Sequence, residues 1–442
     1  MTSNFLYLLL CLIAGIAVIV LLTTRYKVHP FFALLIASLV VGVGVGLPAG
    51  EVITAVKGGF GNILKSLGLI IVLGTTLGVV LEHTGSTRVM ASFILKKVSE
   101  KRAPLAMSIT GFVVGLPIFC DSGYIVLSGL NQSLARRTQL PLATMAISLA
   151  TGLYAVHCLV PPHPGASAAA GIIGVDFGKL ILIGIVVAIP AAIIGHAWAM
   201  YAGKKDPVIL TEVKETNAVP EDHSVLKAFL PIVLPITLIA LKSFLPEVTS
   251  ADSHWMEMVL SIGDPSIALG IGILLAFNTK RSWQKKDVSS LLQDSAEKAG
   301  GILVIIGAGG AFGAVLEAVK IGDHLNESFS LQGMGLLFPF VLTVILKTAQ
   351  GSSTVAIITA SSIVQPMLAS LGIATETELL LCVLSMGAGS MMISHANDAY
   401  FWVISKFSGL DMKPMLYVYS VASILMGLTS FLVIYILSWI LP

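Results

Sequence analysis

Blocks of apolar residues separated by short polar breaks make up most of the chain. Each block is close to the roughly 20 residues with which a helix crosses a bilayer, and about twelve of them can be counted. The first extends from Phe5 to Leu22 and the last from Met415 to Ile440. The strict alternation of apolar and polar residues that is typical of membrane β-barrels does not occur in these blocks. The pattern therefore predicts an all-α polytopic membrane protein with about twelve transmembrane segments.

Composition supports this prediction. Of the 442 residues, 56% are hydrophobic and only 11% are charged, whereas a soluble domain carries about 25% charged residues. The net charge of +2 gives no indication of nucleic-acid binding. The cysteines lie in or beside apolar blocks, at spacings that match no metal motif; they are Cys11, Cys120, Cys158 and Cys382. We therefore expect a lipid bilayer around the chain, and no nucleic acid, metal or other cofactor.

The chain nearly repeats itself at an offset of 235 residues. The matched segments are HPFFAL at His29–Leu34 with DPSIAL at Asp264–Leu269, LGVVLE at Leu77–Glu82 with FGAVLE at Phe312–Glu317, and GVD at Gly174–Asp176 with GLD at Gly409–Asp411. Three matches in order at one offset indicate a duplication. We predict a first repeat at residues 1–202, a cytoplasmic linker at residues 203–224 and a second repeat at residues 225–442.

The distribution of basic residues indicates that the two repeats have opposite orientations. The segment Thr84–Arg102 holds five basic residues, whereas its counterpart Val319–Leu337 holds one. The asymmetry reverses for Val45–Asn62, with one, and Lys280–Glu297, with four. Because basic loops stay in the cytoplasm, corresponding loops face opposite sides of the membrane. This predicts inverted-topology repeats, which in secondary transporters place the substrate near the midplane.

The first apolar block is expected to be a retained helix. No Lys or Arg precedes it, whereas Arg25 and Lys27 follow it. A cleaved signal peptide needs a basic segment before its apolar run, and basic residues after a span indicate its cytoplasmic end. The N-terminus is therefore predicted to lie outside.

Polar breaks interrupt the apolar blocks at corresponding places in the two repeats. GLPIFCDSGYIVLSG at Gly115–Gly129 corresponds to ILKTAQGSSTVAIITASS at Ile345–Ser362, and CLVPPHPGAS at Cys158–Ser167 corresponds to MMISHANDAYFW at Met391–Trp402. Unpaired backbone at membrane depth is tolerated only inside protein or against a cavity. A half-helix that begins there offers free N–H groups to an anion. We predict a re-entrant or broken-helix hairpin in each repeat, with the ligand bound between them.

The polar side chains and small residues at these breaks are the candidate site. The candidate substrate-binding residues are Ser122, Gly123, His163, Gly165, Lys347, Gln350, Gly351, Ser352, Ser353, Thr354, His395 and Asn397. The candidate proton-coupling residues are Asp121, His163, His395 and Asp398. Asp121 is the first choice, because a carboxylate between two apolar arms is expensive in a membrane.

Structural explanations compete with several of these assignments. The turn Pro161–Pro164 could be an external loop, and the Gly-Ser-Ser-Thr run could pack helices through small residues. Lys347 could snorkel from a helix end. Asp398 and Asn397 could cap a helix, and His157 could be a hydrogen-bonded packing residue.

At these residues the chain resembles the gluconate permease family, proton-coupled carriers of sugar acids with a branch that carries D-serine. The segments that carry the resemblance are HPFFALL, PPHPG, IIGAGGAFGAVL at Ile305–Leu316, GSSTVA and SHANDAYFW. The resemblance implies paired re-entrant hairpins and both termini outside; by analogy with related carriers it also implies a homodimer. Gluconate carriers of the family typically have Phe-Glu-Val-Gly where this chain has Cys120–Gly123, Arg at the Lys347 position and Leu at the Gln350 position. The D-serine branch has His at the Lys347 position.

These features predict a secondary transporter of a bacterial inner membrane, and not an enzyme. We expect import of a small sugar acid by proton symport, with gluconate, a related aldonate or glycerate as the substrate. The alternative is a sodium-coupled carrier of a carboxylate or a D-serine-like hydroxy amino acid. No HExxH spacing or nucleophile motif indicates an intramembrane enzyme, and no charged ring indicates a channel.

Overall fold

The computed structural model describes residues 2–98, 102–205, 224–244, 261–280, 282–319 and 333–441. In the first half, the helices are α1 (Thr2–Thr24), α2 (Pro30–Val45), α3 (Ala49–His83), α4 (Ser86–Val98), α5 (Ala103–Gly115), α6 (Cys120–Thr138), α7 (Leu142–Leu159), α8 (Pro164–Ile173) and α9 (Phe177–Ala202). In the second half, they are α10 (Val225–Phe244), α11 (Pro265–Phe277), α12 (Lys285–Ala318), α13 (Leu337–Gln350), α14 (Ser353–Val364), α15 (Glu376–Met391), α16 (Ala399–Ser408) and α17 (Met412–Ile440). The linker predicted at residues 203–224 falls mostly on residues 206–223, outside the described residues.

Apolar helices dominate the structure. Among the described residues, six helical segments are long and apolar enough to cross a membrane, and six shorter helices are also apolar. One of the six long segments, Leu142–Ile173, consists of α7 and α8 and is almost completely buried inside the protein. The all-α membrane fold predicted from the apolar blocks is therefore confirmed.

The order of the helices repeats along the chain, with α2, α3, α5, α7 and α8 matched by α11, α12, α13, α15 and α16. Their packing repeats as well: α2 contacts α12 as α11 contacts α3, and α5 contacts α7 as α13 contacts α15. The capping hydrogen bonds at corresponding helix starts repeat too. His29 Nδ1 accepts a hydrogen bond from the backbone N–H of Phe31 at the start of α2, and Asp264 accepts one from Ser266 at the start of α11.

The long helices α3 and α12 pack along each other through glycines. A Cβ atom on Gly59 would lie 2.3 Å from the backbone oxygen of Gly310, so no larger residue fits this crossing. In sequence, Val288–Lys298 resembles a short amphipathic surface segment, but it forms the first part of α12. Leu291 and Ala299 are buried on one face of that part, which continues the packed face of the apolar half.

Candidate functional site

Short helices from both halves of the chain begin around one cavity. In the described part of the chain these are α6 and α14, which follow the turns of the hairpins α5–α6 and α13–α14, and α8 and α16, which follow the breaks after α7 and α15. The breaks occur at the places predicted from the sequence. The first N–H groups of a helix have no partner within that helix, so four positive helix ends face the same space.

The cavity has a volume of about 500 Å³ and a lining of mixed polarity. Nine of the candidate residues line it: Asp121, Ser122, Gln350, Gly351, Ser352, Ser353, Thr354, Asn397 and Asp398. The other lining residues are Phe119, Cys120, Tyr154, His157, Pro164, Lys298, Ile302, Ile305, Val355, Ala399 and Tyr400. The fold therefore brings together residues that lie as far apart in the chain as Asp121 and Asp398.

The turn before α14 lies directly against the break before α16. Gly351 has a left-handed backbone conformation with φ of 84°, and a Cβ atom there would lie 2.1 Å from the backbone oxygen of Asn397. Only glycine satisfies both conditions. Ser352 then caps α14 by accepting a hydrogen bond from the backbone N–H of Val355 at 3.3 Å. Ser353 and Thr354, the first residues of α14, line the cavity.

Lys347 and Asp398 form a buried ion pair beside the cavity. Their Nζ and Oδ2 atoms are 2.7 Å apart, and the side chains are 0% and 8% exposed. Lys347 also donates a hydrogen bond to the backbone oxygen of Gly351, and Ser394 donates one to Asp398. Asp398 caps α16 through Oδ1, which accepts from the N–H of Tyr400 at 3.0 Å. Lys347 thus contacts both broken segments, through Gly351 and Asp398, and its side chain does not snorkel toward the membrane surface.

Several buried polar atoms at the cavity have no protein partner. In the described structure, both amide atoms of Gln350, the Oδ1 atom of Asn397 and the Nδ1 atom of His157 accept or donate no hydrogen bond. Asn397 donates through Nδ2 to the backbone oxygen of Thr348 at 2.8 Å, which orients its side chain. Because buried polar groups are nearly always hydrogen-bonded, these atoms are available to a bound polar molecule.

Five candidate residues do not line the cavity: Gly123, His163, Gly165, Lys347 and His395. His163 is buried behind the start of α8, with Nε2 2.6 Å from the backbone oxygen of Gly115. His395 has Nε2 3.3 Å from the backbone oxygen of Thr348.

The two glycines in this group serve helix packing. A Cβ atom on Gly123 would lie 2.7 Å from the side chain of Leu153, and one on Gly165 would lie 3.3 Å from the Cα atom of Thr354.

The position of His163 also revises the correspondence between the repeats. His163 precedes α8 in the same way that Asp398, 235 residues later, precedes α16. His395 lies three residues before Asp398, so within the matched segments Cys158–Ser167 and Met391–Trp402 it is not the counterpart of His163. The helix starts therefore follow the same offset as the other repeated segments.

Tyr154, Tyr400 and Lys298 were not identified from the sequence. The rings of Tyr154 and Tyr400 stack with centroids 5.6 Å apart, and the hydroxyl of Tyr400 donates to the backbone oxygen of Ala150 at 3.1 Å. Tyr400 follows directly after the predicted break, which was a signal for its position. Lys298 lies in a helix far from any break, and no local pattern distinguishes it from the other lysines of α12.

The sequence matches the family model of GntP family permeases from residue 7 to residue 440. The chain belongs to the GntP permease family. This confirms the resemblance to gluconate permeases, and the protein is an integral membrane transporter, not an enzyme.

Full-length relatives support this assignment. A gluconate permease of Pseudomonas aeruginosa is 34% identical over 99% of both chains. The high-affinity gluconate transporter of Escherichia coli is 30% identical, over 90% of this chain and 91% of its own length. The D-serine transporter DsdX of Escherichia coli is also 30% identical, over 97% and 98% of the two chains.

Two solved transporter structures have a similar fold. The YdaH transporter of Alcanivorax borkumensis superposes with a TM-score of 0.70 over 93% of this GntP permease and 99% of its own chain. MtrF of Neisseria gonorrhoeae superposes with a TM-score of 0.62 over 93% and 96%. Each is 16% identical to this chain, so the similarity concerns the fold alone.

Proposed function

We propose that this GntP permease imports a small sugar acid by proton symport, with gluconate, a related aldonate or glycerate as the substrate. The observation that carries this proposal is the 500 Å³ cavity at which helix starts meet unpaired polar side chains. Its volume lies within the range of small-molecule sites. Gln350, Asn397 and the hydroxyls of Ser122 and Thr354 suit a polyhydroxylated ligand. The gluconate permeases among its relatives support the same substrate class.

The charges around the cavity support coupling to a proton. Asp121 and Asp398 are the carboxylates that line it, and Lys347 neutralises Asp398. Asp121 has only a weak contact in the described structure, from the Cys120 thiol at 3.7 Å. An ionised Asp121 and a substrate carboxylate repel each other in a poorly solvated space. Protonation of Asp121 removes this repulsion, so the binding of the proton and the binding of the anion favour each other.

The Lys347–Asp398 pair argues against a sodium site in the same place. The backbone oxygen of Gly351 and the carboxylate of Asp398 are hard oxygen ligands of the kind that metal cations need. The Lys347 ammonium already contacts both of them. His163, His395 and Asp398 are the other proton carriers to be considered if Asp121 is not the coupling residue.

An ion pair supports the predicted inverted topology. Because α7 and α8 together are long enough to cross the membrane, α9 begins on the face opposite to the start of α7. Lys179 at the start of α9 lies 2.6 Å from Glu376 at the start of α15. The helices α7 and α15, which correspond in the two repeats, then start on opposite faces. We propose that both termini lie outside a bacterial inner membrane, and by analogy that the protein is a homodimer.

Uptake into proteoliposomes tests this function. Purified protein is reconstituted, and accumulation of radiolabelled C3 to C6 sugar acids, gluconate and glycerate among them, is measured under a pH gradient without sodium and under a sodium gradient without a pH difference. We expect accumulation driven by the pH gradient alone. Accumulation driven only by sodium would refute proton coupling, and no uptake of any C3 to C6 sugar acid would refute the substrate class.

A further inference from the structure

Two lysines lie near the cavity, and only one of them is free to meet an anion. Lys347 is one of the substrate-binding candidates from the sequence. In the structure, Lys347 is fully buried, is paired with Asp398 and does not line the cavity. Lys298 lines the cavity, is exposed, and has no ion-pair or hydrogen-bond partner in the described part of the chain.

The geometry of α12 directs Lys298 to the cavity. Lys298, Ile302 and Ile305 all line it, and residues spaced by three and four share one face of a helix. The two isoleucines form an apolar wall beside the lysine. Lys298 also borders a small adjoining cavity together with Ser122 and Glu82. Its side chain therefore reaches the edge of the cavity at which the first turn of α6 is exposed.

The charge balance leaves a place for one anion. Lys347 and Asp398 neutralise each other, so Asp121 and Lys298 are the remaining fully charged groups among the described residues that line the cavity. When Asp121 carries its proton, the cavity has one unpaired positive charge in addition to four positive helix ends. A ligand with one carboxylate restores neutrality, and a neutral ligand of the same size does not.

We propose that Lys298 binds the carboxylate of the transported molecule and selects the anion over its neutral analogue. This inference rests on the proposed transport of a sugar acid through the same cavity. The hydroxyl groups of the ligand then lie toward Gln350 and Asn397, whose unpaired amide atoms lie at the start of α14 and before α16. The cavity thus has a cationic edge and a side that hydrogen-bonds hydroxyl groups.

Isothermal titration calorimetry of purified protein with D-gluconate and D-gluconamide tests this assignment. The two ligands differ in charge and share the hydroxylated chain. We expect wild-type protein to bind gluconate at least tenfold more tightly than gluconamide. Lys298→Gln should weaken gluconate binding by about ten- to a hundredfold, the value of a charge-assisted hydrogen bond. Its affinity for gluconamide should change little, and Lys298→Arg should keep most of the preference for the anion.

Lys286→Gln is the matched control, because Lys286 is an exposed lysine of the same helix and does not line the cavity. Its binding should equal that of the wild type, and thermal unfolding checks that each variant is folded. An unchanged gluconate affinity in Lys298→Gln, or equal losses for gluconate and gluconamide, would overturn the assignment. If wild-type protein binds no gluconate in this titration and accumulates no sugar acid in proteoliposomes, the proposed function itself fails, which is a different result.

Discussion

Replacing Lys347 with methionine removes the cation that neutralises Asp398 and leaves a side chain of similar length. The pair has an Nζ–Oδ2 distance of 2.7 Å, and neither side chain is appreciably exposed. At this distance two unit charges attract each other by about 6 kcal/mol if the effective dielectric constant is about 20. Desolvation of both charges offsets much of that attraction. Removing one partner of such a pair typically destabilises a protein by about 3–5 kcal/mol, because the other charge stays buried.

We therefore expect Lys347→Met to clearly lower the midpoint temperature of thermal unfolding in detergent. The double variant Lys347→Met/Asp398→Asn should recover at least half of the loss. An asparagine at position 398 carries no charge and can still cap α16 through its side-chain oxygen, as Asp398 does toward Tyr400. A double-mutant cycle isolates the interaction between the two residues. Lys286→Met, at an exposed position of α12, is the control and should unfold like the wild type.

Equal stability of Lys347→Met and the double variant would refute this reasoning, since the unpaired Asp398 carboxylate would then not destabilise the single variant. The affinity of the double variant for the substrate provides a second test. Because Lys347 does not line the cavity whereas Asp398 does, the reference is the single variant Asp398→Asn, and the dissociation constant of the substrate in the double variant should stay within about threefold of the value for that reference, a change below 1 kcal/mol. A loss of tenfold or more would mean that Lys347 contacts the substrate at some stage of transport.

Other variants test the remaining parts of the proposal. Asp121→Asn should still bind substrate and exchange it across the membrane but lose accumulation driven by a pH gradient; normal accumulation would exclude Asp121 as the proton carrier. Gly351→Ala should abolish uptake or prevent folding, because the Cβ atom would lie 2.1 Å from a backbone oxygen across the turn. Gly68→Ala, at an open helical position, should leave uptake and stability intact or raise stability slightly. Single cysteines introduced at Lys97 and Glu376 are compared with unmodified protein, which carries only the native cysteines. An impermeant maleimide should label the cysteine at position 97 from the cytoplasm and the cysteine at position 376 from outside. Labelling of both from one side would contradict the inverted repeat.

The sequence alone was sufficient for the class of fold and for the position of the breaks. An apolar block indicates a helix, because backbone groups in lipid must form their hydrogen bonds within the segment. This requirement applies to each segment separately. Polar and proline-rich interruptions such as Pro161–Pro164 and Gly351–Thr354 stop a helix for local reasons as well. The starts of α6, α8, α14 and α16 were therefore predictable, as were nine of the twenty residues that line the cavity.

The length of the long helices and the places of His163 and His395 were not predictable in this way. In sequence, the charged first half of α12 resembles a separate surface segment, because it has more polar residues than apolar residues that pack against the protein. Whether a histidine beside a break faces the cavity or the protein behind it depends on the neighbouring hairpin. For His163, the backbone oxygen of Gly115 lies 2.6 Å from the ring nitrogen and holds it away from the cavity.

The roles of the two lysines show the same division between local and distant information. Lys347 lies next to a break in an apolar segment, and the sequence alone made it a candidate substrate-binding residue. Lys298 lies in a charged stretch that resembles an exposed surface. Only the tertiary structure places Asp398, 51 residues away in the chain, against Lys347, and turns the face of α12 that bears Lys298 toward the cavity. Helix formation depends on solvation and backbone bonding within one segment, whereas the partner of a buried charge depends on how distant segments pack.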